Sequence, residues 1–326
     1  MKKLLTFALA GLLMSSACTT KPAETVAAEA VDTLPNVYYI KDITPASIVK
    51  VYQALGREPM GKVGIKISTG ESMKSNHLDT ALIADFVRLV NGTFVECNTA
   101  YAGNRNDTER HLATAAEHGY TALAGIDIMD AEGDTIIPVG FDGHLKGKNY
   151  VGKHMTDYDF MVVLSHFKGH AMGGFGGALK NISIGIGSSA GKSWIHSAGY
   201  TTNPDSLWSN IAKQDDFLES MAEAAKSVVD YYGKNILYIN VANRLSVDCD
   251  CNGDPEEPQM EDFGVLASLD PVALDQACVD MVTNSADSGK VFLIERINSR
   301  HGTHTIDHAD SLKVGSKKYN LITITE

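Results

Sequence analysis

The chain has 326 residues, a formal net charge of −12 at neutral pH and 44% hydrophobic residues. That acidity argues against nucleic acid and anionic membrane surfaces as partners, because both would repel it. About 290 residues remain beyond the N-terminal region, enough for one large domain or two lobes with a substantial core.

Met1-Lys2-Lys3 is a basic start, and Leu4 to Met14 is an apolar run too short to span a bilayer as a mature helix. Ser15-Ser16-Ala17 lead into Cys18. This pattern predicts an export signal over residues 1–18, with Cys18 as the lipidated end of a membrane-anchored lipoprotein; a simply secreted, periplasmic chain is the alternative. Membrane contact would then run through the lipid alone. Residues 19–36, rich in Ala, Glu, Thr and Pro, read as a flexible tether, and 37–326 as a single two-lobed domain.

Lys62 to Ser68 alternates like a strand, and Leu78 to Val90 has helical spacing. Thr93 to Cys97 reads as a strand followed by a loop through Arg105; Asp107 caps a helix to about Glu117, which Gly119 ends. Thr121 to Met129 and Thr135 to Val139 look like strands, and Phe160 to Leu164 like a buried one. Ser206 to Tyr232 predicts one long amphipathic helix or two, and Ile236 to Val241 another strand. Asp270-Pro271 opens a helix to about Val282. A helix near Thr305 to Leu312 and a strand near Tyr319 to Thr325 close the chain. Alternating strands and helices predict an α/β class, with mixed or mostly parallel sheets flanked by helices.

Chemistry concentrates between Ser165 and His196. Three histidines and three lysines, Lys192 among them, lie there among eight glycines. His166, Lys168 and His170 follow a buried strand, where open α/β sheets place ligands, and extended backbone would set all three on one side. Lys180-Asn181 follows Gly173, Gly174, Gly176 and Gly177, whose backbone can approach a ligand closely. Lys180 would bind phosphate, or form a covalent link once deprotonated. Gly191-Lys192-Ser193 is not read as a phosphate-binding loop, since no clean strand-to-loop switch precedes it. Cys249 and Cys251, in an acidic loop, suit a soft metal and need partners such as His166. They are too close for an ordinary, unstrained mutual disulfide; a bridge from Cys97 to another cysteine is unreadable from sequence. Arg105 would clamp a carboxylate or phosphate. His301, His304 and His308 surround a helix start as surface histidines or metal ligands.

Lys168-Gly169-His170, Gly177-Ala-Leu-Lys180-Asn181, Cys249-Asp-Cys251 and Gly264-Val-Leu-Ala-Ser-Leu-Asp270-Pro-Val-Ala-Leu-Asp275 together resemble the bacterial family called domain of unknown function 362. Many of its members carry ferredoxin-like cysteine runs before the Cys-Asp-Cys loop. This chain has none there, so no iron–sulfur cluster is expected. The segment from Gly169 to His196 is also similar to the cofactor segment of nickel-pincer lactate racemases: nine residues separate His170 from Lys180, and fifteen separate Lys180 from His196. That resemblance implies the lactate racemase fold, a nickel-pincer nucleotide on Lys180, His196 as a metal ligand and His170 as acid/base. Asn104 stands where the second catalytic histidine of that family would be. A racemase needs an acid/base on each face of its substrate, so the resemblance implies racemase- or epimerase-like chemistry on a small hydroxy acid or sugar acid without fixing it. The other readings are a non-catalytic lipoprotein that binds a metal or small-molecule ligand, and a redox partner lacking its ferredoxin insert.

Overall fold

The computed structural model describes Met1 and residues 34–325. The signal and tether expected over residues 2–33, Cys18 included, lie outside the described residues. From Leu34 onward the chain forms one contact unit. It begins with β1 (Asn36–Ile40) and α1 (Pro45–Ala54), then β2 (Val63–Lys66), α2 (Thr80–Val90), β3 (Thr93–Glu96), α3 (Thr108–Glu117) and β4 (Ile126–Ile128). A hairpin of β5 (Asp134–Pro138) and β6 (Lys148–Gly152) precedes β7 (Phe160–His166). The glycine-rich segment folds as a second hairpin, β8 (Lys168–His170) with β9 (Gly174–Gly176), followed by α4 (Ala178–Ser183) and α5 (Ser189–His196). Then come α6 (Gln214–Tyr232), β10 (Ile236–Ala242), β11 (Gly264–Ser268), α7 (Pro271–Asn284), α8 (Lys290–Ser299), α9 (His304–Ser311) and β12 (Asn320–Thr323).

Eight strands form one sheet in the order β12-β1-β11-β10-β7-β2-β3-β4, and only the two pairings of β11 are antiparallel. The main sheet is thus mixed and mostly parallel, as expected, and two separate two-stranded sheets accompany it. Period-2 alternation explains how both faces are covered. Along β7, Met161 and Val163 join a core that includes Leu179 of α4, Val228 of α6 and Val272 of α7. Phe160, Val162 and Leu164 join the opposite core with Ile48 of α1 and Phe86 of α2. Burying each such side chain contributes about 1.5–3 kcal/mol.

Local chemistry sets the helix starts. Asp107 accepts from the N–H groups of Glu109 and Arg110, and Asp270 from those of Val272 and Ala273, with Pro271 first in the helix. Two sequence expectations need correction. Of Thr121–Met129 only Ile126–Ile128 pairs as strand, because Gly119 turns left-handed (φ 86°) and Tyr120 starts a short 3-10 turn, its hydroxyl donating to the Leu78 carbonyl at 2.8 Å. The long helix begins at Gln214, since Pro204–Ser209 forms a separate 3-10 turn.

The topology fixes where the site lies. From β2 the chain moves outward to β3 and β4; from β7 it moves the other way to β10. The carboxyl ends of β2 and β7 therefore flank the point where the strand order reverses, the usual ligand crevice of an open α/β sheet.

Candidate active site

A cavity of about 560 Å³ opens at that point. Lys66 at the end of β2, Glu96 at the end of β3 and Ser165 and His166 at the end of β7 form its floor. Lys168, His170, Gly176, Gly177, Lys180 and Asn181 form one wall, and Cys249 to Gly253 another. Tyr101 and Trp208 stand at its edge with ring centroids 6.4 Å apart. Five cationic side chains line it (Lys66, Arg105, Lys168, Lys180, Lys192) against three carboxylates (Glu96, Asp248, Asp250). A chain of charge −12 has thus gathered a basic cavity, which attracts anions.

Four of those cations are committed. The Lys66 ammonium donates to the Ile67 carbonyl at 2.5 Å and to Asn181 Oδ1 at 2.9 Å. Lys168 donates to Asp250 Oδ2 and to the His166 carbonyl, both at 2.8 Å. Lys192 donates to the Gly187 carbonyl at 2.6 Å. Arg105 pairs with Glu71 at 3.0 Å and Glu96 at 3.4 Å. Burial works against the Arg105 charge, but Glu96, Tyr101 and Glu71 outweigh it and hold its pKa above the ordinary value. Lys180 has no hydrogen-bond or ion-pair partner among the described residues. Burial, and then the charge of Lys168, push its pKa down to about 7, so near neutrality much of it is a free amine.

The helix under Lys180 is held from outside the glycine-rich segment. Asp275 of α7, fully buried, accepts from the N–H groups of Ala178 at 2.8 Å and Leu179 at 2.9 Å, and from Asn240 Nδ2 at 2.8 Å. It caps α4 across space, favoured by the positive end of the helix dipole. Burial raises its pKa to about 6. A Cβ at Gly177 would run into this carboxylate. Asn181 Nδ2 donates to Ser165 Oγ at 3.0 Å and to the Lys66 carbonyl at 3.3 Å, so one amide ties β2 to β7.

Of the three histidines lining the cavity, His170 and His196 differ in tautomer. His170 Nδ1 accepts from the N–H groups of Met172 at 3.2 Å and Gly173 at 2.8 Å. Burial, and then Lys180, hold its pKa well below the ordinary value, so the ring is neutral and its one proton sits on Nε2. His196 is the reverse: Nδ1 donates to the Lys192 carbonyl at 2.7 Å, leaving a lone pair on Nε2. Burial lowers its pKa to about 4, and its ring stacks on Phe217 at 4.8 Å. In these tautomers His170 presents an N–H at Nε2 and His196 presents a lone pair at Nε2.

Other expected site residues take structural positions. His166 has both ring nitrogens engaged, Nδ1 with Asp250 at 2.7 Å and Nε2 with the Asn243 carbonyl at 2.5 Å, so it has no free atom for a metal. Burial opposes ionisation of Asp250, but Lys168 and His166 outweigh it and hold the carboxyl well below its usual range. Cys249 and Cys251 are bonded to each other, contrary to the expectation from their spacing, because the intervening turn brings their Cα atoms to 5.1 Å. In that state they are not the thiolates a metal needs, although a His170 ring nitrogen and both sulfurs lie within 4.8 Å of one another. Cys97 and Cys278 are free and buried. Asn104 is exposed and does not line the cavity; its Nδ2 donates to the Glu71 carbonyl at 2.9 Å and its N–H to the Glu71 carboxylate. Gly173 and Gly174 also stand off the cavity. Gly174 is left-handed (φ 79°), and a Cβ there would meet Gly302 Cα at 2.8 Å, so this glycine serves close backbone packing. Lys66, Glu96 and Asp275 were not singled out from the sequence as site residues. A lysine between Ile65 and Ile67 in a strand buried on both faces is the signal that would have found the first.

The family model described as Domain of unknown function (DUF362) matches residues 63–280, and the chain belongs to that family. No curated protein matches it. Among solved structures it is similar to the lactate racemase apoprotein from Thermoanaerobacterium thermosaccharolyticum, with 17% identity and a TM-score of 0.35 over 64% of this chain and 50% of that one. It is also similar to a structural-genomics protein from Thermotoga maritima, with 15% identity and a TM-score of 0.42 over 75% of this chain and 61% of that one. The chain thus spans less than two thirds of the length of either.

Proposed function

We propose that this member of the domain of unknown function 362 family is an exported, cofactor- or metal-dependent enzyme acting on a small anion, a hydroxy acid or sugar acid, in the manner of a racemase or epimerase. The observation that carries the reading is Lys180: an uncommitted amine with a pKa near neutrality, in a cavity whose other cations are all held in place. A basic floor suits a carboxylate or phosphate, and the Tyr101–Trp208 edge suits a planar group. A disulfide in the described chain supports a location outside the cytoplasm.

The residues present fit a nucleotide-sized group of the nickel-pincer kind: Lys180 would hold it covalently and His196 would reach its metal through Nε2. Such a group would supply an electrophilic centre. The chain's own residues do the rest. His170, neutral, donates its Nε2 hydrogen to a substrate oxygen and polarises it without changing charge. Lys66 and Arg105, fixed by Asn181, Glu71 and Glu96, set the field that attracts the substrate carboxylate. Asp275 holds α4 so that Lys180 stays aimed into the cavity.

The test is the peptide mass of protein taken from its native membrane fraction. An addition of several hundred daltons on the Lys180 peptide is the expected result. An unmodified Lys180 in correctly lipidated protein sinks the covalent form of the reading and leaves a ligand-binding pocket.

A further inference from the structure

We infer that the Cys249–Cys251 pair is a thiol–disulfide exchange centre for low-molecular-weight anionic thiols that enter the same cavity. The inference goes beyond the reading of Lys180 and stands whether or not that lysine carries a group. Both cysteines line the cavity. The bond is poorly suited to being a staple, since it closes only a three-residue loop and so removes little freedom from the unfolded chain. The loop is also held by other means. The Asp250 carbonyl accepts from the Glu71 N–H at 2.9 Å, and the Asn252 carbonyl from Ser75 Oγ at 2.8 Å. The Val247 carbonyl accepts from Arg296 at 2.8 Å, and the Asp250 side chain is clamped by His166 and Lys168.

The two sulfurs are unequal. Cys249 is 5% exposed and Cys251 is half-buried, so an incoming thiolate reaches Cys251 first. It forms a new S–S bond to Cys251 Sγ. The Cys249–Cys251 bond breaks, and its electron pair leaves on Cys249 Sγ as a thiolate, which the basic cavity favours. A second thiolate then attacks the outer sulfur of the mixed disulfide and releases Cys251. Two external thiols become one disulfide, and the pair takes up two electrons and two protons. The reverse reaction oxidises the pair again. Cys97 takes no part: its thiol is buried, donates to the Ile186 carbonyl at 3.3 Å and is pushed up in pKa by that burial.

The native full-length protein, held in buffers of graded reduced-to-oxidised glutathione ratio, trapped with iodoacetamide and read by peptide mass, tests this. The pair should open in one two-electron transition without denaturant, the first glutathione adduct should lie on Cys251, and Cys97 and Cys278 should stay unmodified. Opening at low ionic strength should be about tenfold faster with glutathione than with the cationic thiol cysteamine at equal thiolate concentration. A pair that opens only in denaturant overturns the proposal, as does a first adduct on Cys249; equal rates with the two thiols overturn the preference for anions. In Cys249→Ser protein, Cys251 should be captured by oxidised glutathione, while in Cys251→Ser protein Cys249 should resist. The wild-type measurement stands if either variant fails to fold, and the mass of the Lys180 peptide is read separately.

Discussion

Two histidine-rich regions of this molecule differ in how their rings are held. Around α6 and α9, three imidazoles end on carboxylates, while His308 Nε2 is buried with no hydrogen-bond partner among the described residues. Glu219 takes His144 Nε2 at 2.8 Å and His304 Nε2 at 2.9 Å, and Asp215 takes His301 Nδ1 at 2.7 Å. At the cavity, His170 and His196 are held through Nδ1 by backbone groups, and Nε2 is left uncommitted on each. The difference lies in what fixes the ring, not in the number of rings. A carboxylate at the surface uses up an imidazole, whereas a backbone partner orients it and leaves the other nitrogen for a ligand. The lysines follow the same division: Lys66, Lys168 and Lys192 are anchored, and Lys180 is not.

That contrast can be broken or sharpened by experiment. Lys180→Met should remove the mass adduct entirely; compared with wild-type protein that carries no adduct, it should also slow labelling of the cavity by the anionic amine reagent trinitrobenzenesulfonate by at least about 100-fold. Persistent labelling would mean another lysine is the reactive one. Asp250→Asn leaves Lys168 without its counter-charge and should cost about 3–5 kcal/mol in urea unfolding. Asp275→Ala strands three buried donors and should cost about 3 kcal/mol, with Asp275→Asn milder; a loss below about 1 kcal/mol would show that the α4 cap does little. In protein without the adduct, labelling of Lys180 should rise about tenfold per pH unit up to about 7 and level off above 8, because the neutral amine reacts. The sign for stability follows from the same group. The unfolded chain keeps that proton up to its ordinary pKa of 10.5 while the folded chain releases it near 7, so this lysine's contribution becomes more favourable from pH 7 to 10.5. His301→Gln, at an exposed pair, should change stability by less than about 0.5 kcal/mol. A larger loss would place the outer histidines on a par with those of the cavity.

Much of the fold was legible because its signals are local: Asp107 and Asp270 as caps, Pro271 at a helix start, and the continuous apolar run of β7. The His170–Lys180–His196 group was legible through the resemblance to the racemase cofactor segment, and the structure does bring all three to one cavity with Arg105. What escaped was the long-range part. Asp275 lies 97 residues from the N–H it caps, and Glu71 lies 34 from Arg105. No local pattern marks such pairs. The tautomers of the two histidines escaped for the same reason, since a neighbouring backbone group decides them. The Cys249–Cys251 bond was missed because spacing alone does not give the turn that brings the two Cα atoms together.

The bridge from Asn181 to Lys66 joins residues 115 positions apart, and through Ser165 it also grips β7. The floor of the cavity therefore exists only after β2, β7 and α4 have all assembled. A ligand that needs this floor binds only chains in which all three elements are in place. A ligand that bridges Lys66 and Lys180 should slow global unfolding, and in hydrogen exchange should protect the amides of β2 and α4 together rather than one by one.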